Sequence, residues 1–180
     1  MAKNDNAHSL RLTQSLAKHV GAEAAAEFEA KLPLSKSADF EKKFEWAKNV
    51  CDYLEERFDP DTIAAVRHDC RCNDGKSNAA KLMKYLNKSA SIAEFVEVFN
   101  RGETFARLEY ISEHKLLFCY PECYCSCVKR APEKVSETWC LCTLGNAEGI
   151  FRELFGDSVR VRLLASIKRG GSECVIEVEW

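Results

Sequence analysis

The chain has 180 residues, 46% of them hydrophobic, enough for one sizeable core but short for two, because domains cluster at roughly 100 to 150 residues. Its 26 Lys and Arg against 28 Asp and Glu leave a net charge of -2, which disfavours a protein that tracks phosphate backbones or coats an anionic membrane. No stretch approaches the roughly 20 apolar residues of a membrane span, and the residues from Met1 to Leu16 lack the apolar run of a signal peptide. The expectation is a cytoplasmic protein with no membrane and no nucleic-acid partner.

The first hundred residues read as helices. From Asp39 onward, Phe40, Phe44, Ala47, Cys51, Leu54 and Phe58 recur at spacings of three or four and predict one long apolar stripe, which would also allow a helix-mediated homodimer. Asp59 and Pro60 have the form of an N-cap and a first-turn proline, opening a short helix through Val66. Two more helices are predicted over 76–86 and 91–99, the second capped by Ser91 or Ser89.

After Gly102 the period changes. Phe105 to Ile111 and Lys115 to Tyr120 are rich in aromatic and branched residues around the polar Ser112, Glu113 and His114, the pattern of an antiparallel hairpin. Ile150, Phe151, Leu154 and Phe155 then line a helix that Gly156 can close in the left-handed conformation. Val159 to Ser166 alternates at the strand period, Gly170 and Gly171 supply a turn, and Cys174 to Trp180 alternates again. Arg160 and Arg162 are placed to face Glu177 and Glu179 across this second hairpin. The predicted fold is α+β, with N-terminal helices followed by a mostly antiparallel sheet with an inserted helix. The expected division is a helical N-terminal extension over residues 1–37 and a single α/β domain over 38–180, which the resemblance described below implies is ligand-binding.

Ten cysteines in a chain without an export signal are unlike structural disulfides, which the cytosolic thiol pool keeps reduced. The densest run is Cys119, Cys123, Cys125 and Cys127; in extended backbone the last three share a face and can converge on a soft cation. Two further Cys-x-Cys pairs, Cys70 with Cys72 and Cys140 with Cys142, complete the candidate metal ligands, and His68 lies beside the first pair. A tetrahedral zinc site needs four sulfur or nitrogen ligands, and pairs from separate segments supply them. Zinc is the first expectation, with iron and copper(I) sharing the affinity for thiolate. If a helix begins as early as Trp139, only one of Cys140 and Cys142 can face such a site, and Cys140 is favoured.

Metal ligation has two rivals. One is redox chemistry, in which Lys129 and Arg130 lower the pKa of Cys127. The second is packing, which suits Cys51 on its helix stripe and Cys174 on the sheet face, since free cysteine behaves as a small buried hydrophobe. His8, His19 and His114 have no sequence partners and are left without a role.

From Thr138 to Val178 the order Cys140, Gly145, Gly149, a short helix ending at Gly156, a strand, Ser166, Gly170 and Cys174 resembles the 4-vinyl reductase domain. The resemblance implies a small-molecule-binding α/β domain, often with metal-binding cysteines, on the fold shared by haem-based nitric-oxide sensors and Golgi-transport subunits. The spacing from Gly170 to Cys174 is also similar to that of aminothiazoline-carboxylate hydrolases. Ser166 stands where the 4-vinyl reductase pattern usually has a cysteine.

Two functions follow as expectations. The first is a metal-binding module that takes a small-molecule ligand in a sensor or carrier role, with the Phe40 to Phe58 and Ile150 to Phe155 helices covering the sheet. The second is a hydrolase in which a metal activates water or an exposed cysteine acts as nucleophile, with Glu122, His68 and Asp69 as the nearest candidate bases. A nucleic-acid-binding helix pair built on Lys76, Lys81, Lys84 and Lys88 is disfavoured by the acidic balance.

Overall fold

Asp39, Asp59 and Ser91 each open a helix by satisfying N–H groups that the first turn leaves without carbonyl partners. Asp39 accepts from the Lys42 N–H at 2.9 Å, Asp59 from Asp61 and Thr62 at 3.0 Å each, and Ser91 from Glu94 at 3.2 Å. The computed structural model describes residues 3–73 and 75–180. After α1 (Ala7–His19) and α2 (Ala22–Lys31), these caps begin α3 (Phe40–Arg57), α4 (Pro60–Asp69) and α6 (Ile92–Gly102); α5 (Lys76–Leu86) lies between. The hairpin β1 (Arg107–Ser112) and β2 (Lys115–Tyr120) follows, then α7 (Glu137–Cys140), α8 (Cys142–Phe155), β3 (Arg160–Ala165) and β4 (Cys174–Glu179). Among the described residues no helix is long and apolar enough to cross a membrane.

Contacts divide the chain into two units. The first unit comprises Met1–Cys72 and Tyr124–Gly145, and the second Asn73–Cys123 and Asn146–Trp180. The N-terminal helices are therefore part of the first unit's core: α1 packs on α2 and α4, and the Ser15 hydroxyl donates to the Val66 carbonyl at 2.7 Å. In α3 the stripe is shifted from the predicted one. Trp46, Val50 and Tyr53 join Ala47, Cys51 and Leu54 in the core, whereas Phe40 and Phe44 are only half-buried and line a surface cleft with Arg130 and Pro132. Trp46 is oriented by its indole N–H, which donates to the Leu32 carbonyl at 2.8 Å.

In the second unit the sheet order is β1-β2-β4-β3 and every pairing is antiparallel. Arg162 stands opposite Glu177, and their side chains pair at 3.1 Å, as the alternation predicts. The edge strand β1 is tied to α6 by Asn100, whose amide nitrogen donates to the Leu108 carbonyl and whose oxygen accepts from the Leu108 N–H, each at 2.8 Å. This side chain supplies the pairing that an edge strand otherwise leaves open. Phe118 of β2 meets Phe151 of α8 edge to face at 5.2 Å, and Ile176 and Val178 of β4 are fully buried. The sheet is covered by α6 and α8; α3, expected to share that role, lies in the first unit and packs on α4 and α7. Gly156 closes α8 at φ 85°.

Truncating Phe151, which is completely buried, removes the ring that joins helix to sheet. Phe151→Ala is expected to lower the unfolding free energy by about 3 to 5 kcal/mol, read as a reduced urea midpoint at unchanged slope.

Candidate thiolate site

The segment from Cys125 to Lys129 is a turn and not the extended strand that would place Cys123, Cys125 and Cys127 on one face. The Cys125 carbonyl accepts from the N–H groups of Val128 at 3.1 Å and Lys129 at 2.9 Å, closing a single helical turn. Cys125 thus occupies the position of an N-cap, where a side-chain acceptor receives backbone N–H groups. Its thiol is held near pKa 6, against an ordinary value of 9.0. The largest cause is the hydrogen bond from Cys127; burial opposes it, and the Trp139 indole N–H, 3.3 Å from the sulfur, and the backbone N–H groups of Cys127 and Val128 reinforce it. Donors that bond the charged form favour it. Cys127 shifts the opposite way: its bond to Cys125, with burial, pushes its own thiol up. Cys125 is the thiolate and Cys127 the proton-bearing partner. Lys129 is exposed and the Arg130 guanidinium lies 5.9 Å over the Phe40 ring, so neutral donors rather than these cations create the thiolate.

Arg67 supplies the cation, and nothing in its sequence context singles it out. It is only 3% exposed, its Nε donates to the Thr138 carbonyl at 3.1 Å and its Nη2 to the Trp139 carbonyl at 2.7 Å. The guanidinium also lies 4.5 Å from the centre of the Trp139 ring, whose edge-to-face contact with Trp46 at 5.7 Å locks the indole that donates to Cys125. Burial works against the Arg67 charge, and the sulfurs of Cys142, Cys70, Cys51 and Cys125 restore it when they are ionised. A buried cation with sulfur neighbours is compensated when one of those sulfurs is ionised.

On the other side of the cluster stands α1. Arg11 Nη2 lies 3.2 Å from His8 Nδ1 and 4.0 Å from the Cys72 sulfur. Arginine only donates, so His8 Nδ1 accepts; its other nitrogen then carries the proton and donates to the Ser126 hydroxyl at 3.1 Å. Burial and the surrounding cations Arg11, Arg67 and Lys43 hold His8 down at about 4, so the ring is neutral at physiological pH.

The predicted site residues fall into both units. Cys70, Cys72, Cys125, Cys127 and Cys142 belong to the first and act on one another's charge there. Cys70 ends α4 with its thiol donating to the Val66 carbonyl at 3.2 Å, and Cys142 donates to the Trp139 carbonyl at 3.6 Å while burial pushes it up to about 12. Cys142 feels the charge of Cys125; α7 ends at Cys140 and a new helix starts at Cys142, so the pair is not on one continuous helix. Cys140 acts on the charge of Cys51, which burial raises to about 12, the behaviour of a packing residue. Cys123 and Glu122 fall in the second unit. Asp69 is engaged by Lys18 at 2.5 Å and His19 at 2.8 Å, and the His68 carbonyl abuts Gly145. Among the described residues no group of three or more His, Cys, Asp or Glu side chains is arranged to hold a metal ion. Sequence reasoning missed Arg67, Trp139, Arg11 and His8, whose roles depend on contacts between segments far apart in the chain.

The chain belongs to a family of unknown function (DUF6144), whose model matches residues 8–179. No curated protein matches it in sequence. Among solved structures it is similar to an H-NOX protein from S. oneidensis in the Fe(II)NO ligation state, 12% identical with a TM-score of 0.45, over 97% of this chain and 98% of that one. It is also similar to an unliganded Fe(II) H-NOX protein mutant from K. algicida, 15% identical with a TM-score of 0.47, over 97% and 96% of the two chains.

Two substitutions test how the cluster is held. A Cβ added at Gly145 would stand 2.0 Å from the His68 carbonyl oxygen, so Gly145→Ala must push the start of α8 away from the end of α4. A loss of about 1 to 3 kcal/mol is expected, seen as a lowered thermal midpoint. Arg67→Met keeps the stem and removes the charge; the ultraviolet thiolate absorbance of Cys125 is expected to titrate at a higher pH than in the unaltered protein.

Proposed function

We propose that this protein is a thiol-based sensor in which Cys125 is the reacting group and Cys127 its partner. The observation that carries the reading is the convergence of the Cys127 thiol, the Trp139 indole N–H and two backbone N–H groups on one sulfur beside a buried guanidinium. A thiolate is the nucleophilic form of cysteine, and one with a pKa below the ambient pH is ionised without an external base. Cys125 is partly exposed and Cys72 exposed, so a small reactant reaches the cluster from solvent.

With a hydroperoxide the chemistry runs in two steps. The Cys125 thiolate attacks the terminal oxygen: an S–O bond forms, the O–O bond breaks, and the departing alkoxide or hydroxide takes a proton from water. The Cys127 sulfur then attacks the sulfenic sulfur, an S–S bond forms, and the hydroxyl leaves as water with the Cys127 proton. Two electrons pass from the thiols to the peroxide. The resulting disulfide is neutral where the thiolate was charged, which removes the counterion of Arg67 and converts oxidation into a change in packing at α4 and α7.

The test is the pH dependence of Cys125 alkylation by iodoacetamide, followed by mass spectrometry on peptides, with metal content measured on the same preparation. The rate is expected to rise with a midpoint near 6, and Cys127→Ala to move that midpoint upward, because the strongest donor to the thiolate is gone. A midpoint near 9.0, the ordinary thiol value, overturns the reading. So does stoichiometric zinc, iron or copper whose removal frees these thiols, a result that would assign them to metal ligation.

A further inference from the structure

Among the described residues, the cations around the thiol cluster outnumber what one thiolate neutralises. Arg67 is the buried member and finds its compensation in the sulfurs. Arg11 is a second guanidinium, half-buried at the partly exposed side of the same cluster. The side-chain contacts of its Nη2 are a neutral histidine nitrogen at 3.2 Å and the Cys72 sulfur at 4.0 Å, and its Nε is buried with no hydrogen-bond partner among the described residues. Lys43 adds a third positive charge close enough to act on His8. Asp69, the carboxylate beside Cys70 in sequence, is already bonded to Lys18 and His19.

The placement of Arg11 relates it to the reacting sulfur by two short paths. One passes through His8, which holds Ser126, the residue next to Cys125. The other passes through Cys72, whose thiol is pushed up by burial and by the charge of Cys125. A buried donor without an acceptor costs free energy that an incoming anion recovers, and a guanidinium presents paired N–H groups to the two oxygens of a carboxylate.

We propose that Arg11 is the anion-receiving group of this site, so that the reactants of Cys125 are small molecules carrying a carboxylate beside their electrophilic atom. The inference rests on the thiolate reading of Cys125 and narrows it to a class of reactant. Arg11 is a specificity residue: it binds the part of the molecule that does not react. A neutral reactant of the same size meets the same thiolate without this contact.

Iodoacetate and iodoacetamide isolate the effect, because both place an S–C bond on the Cys125 sulfur as iodide leaves and they differ only in charge. The second-order rate constants of the full chain are measured with each reagent, and their ratio is compared with that in Arg11→Gln and Arg11→Lys. Removing the Arg11 charge shifts the thiol's own ionisation equally for both reagents, so the ratio reports recognition alone. Arg11→Gln is expected to lower the ratio of iodoacetate to iodoacetamide rates about tenfold, Arg11→Lys to retain most of it, and added salt to depress it in the unaltered protein. An unchanged ratio in Arg11→Gln, with Cys125 still reacting at low pH, overturns the role of Arg11 and leaves the thiolate reading standing. Failure of Cys125 to react with iodoacetamide below neutral pH overturns both.

Discussion

A guanidinium cannot give up its proton at any physiological pH, so the burial of Arg67 obliges the first unit to place compensating groups around it. Two carbonyls, an aromatic face and the ionised sulfur of Cys125 do this. The rest of the site follows from that constraint. The carbonyls belong to α7, which fixes where Trp139 sits; Trp139 in turn aims its N–H at Cys125. The Cys125 thiolate therefore stands as a counterion of Arg67.

The cluster is assembled from pieces that are ordinary in themselves. A helix end brings Cys70 and Cys72, a single turn brings Cys125 and Cys127, and the break between two helices brings Cys142. Each sulfur is differentiated by what its neighbours donate. Cys125 receives N–H and S–H groups and is ionised, while Cys70 and Cys142 donate to carbonyls and keep their protons. Five similar side chains thus acquire one ionised member, because hydrogen bonds to a charged sulfur stabilise it and burial without them does not.

The second unit is far more legible in the sequence than the first. Alternation of apolar and polar residues along Arg160 to Glu179 identifies both strands and the pairing of Arg162 with Glu177, because strand period and cross-strand register are local properties. Caps at Asp39, Asp59 and Ser91 are readable for the same reason. The stripe along α3 departs from its pattern at the first turn, since periodicity says that Phe40 and Phe44 share a face and not whether another element covers it. The influence assigned to Lys129 and Arg130 fails similarly: adjacency in sequence is not adjacency to the sulfur.

What the sequence by itself determined was the repertoire: helices first, two hairpins with an inserted helix, and a surplus of cysteines grouped in closely spaced pairs. Which thiol is ionised was decided by the tertiary structure alone. Thiol acidity depends on donors within a few ångströms, and here these come from residues 127, 128 and 139, with the buried guanidinium of 67 beside them and 8 and 11 at the rim. No local pattern links positions so far apart along the chain; only the packing of α1, α4 and α7 around the turn at Cys125 makes them neighbours.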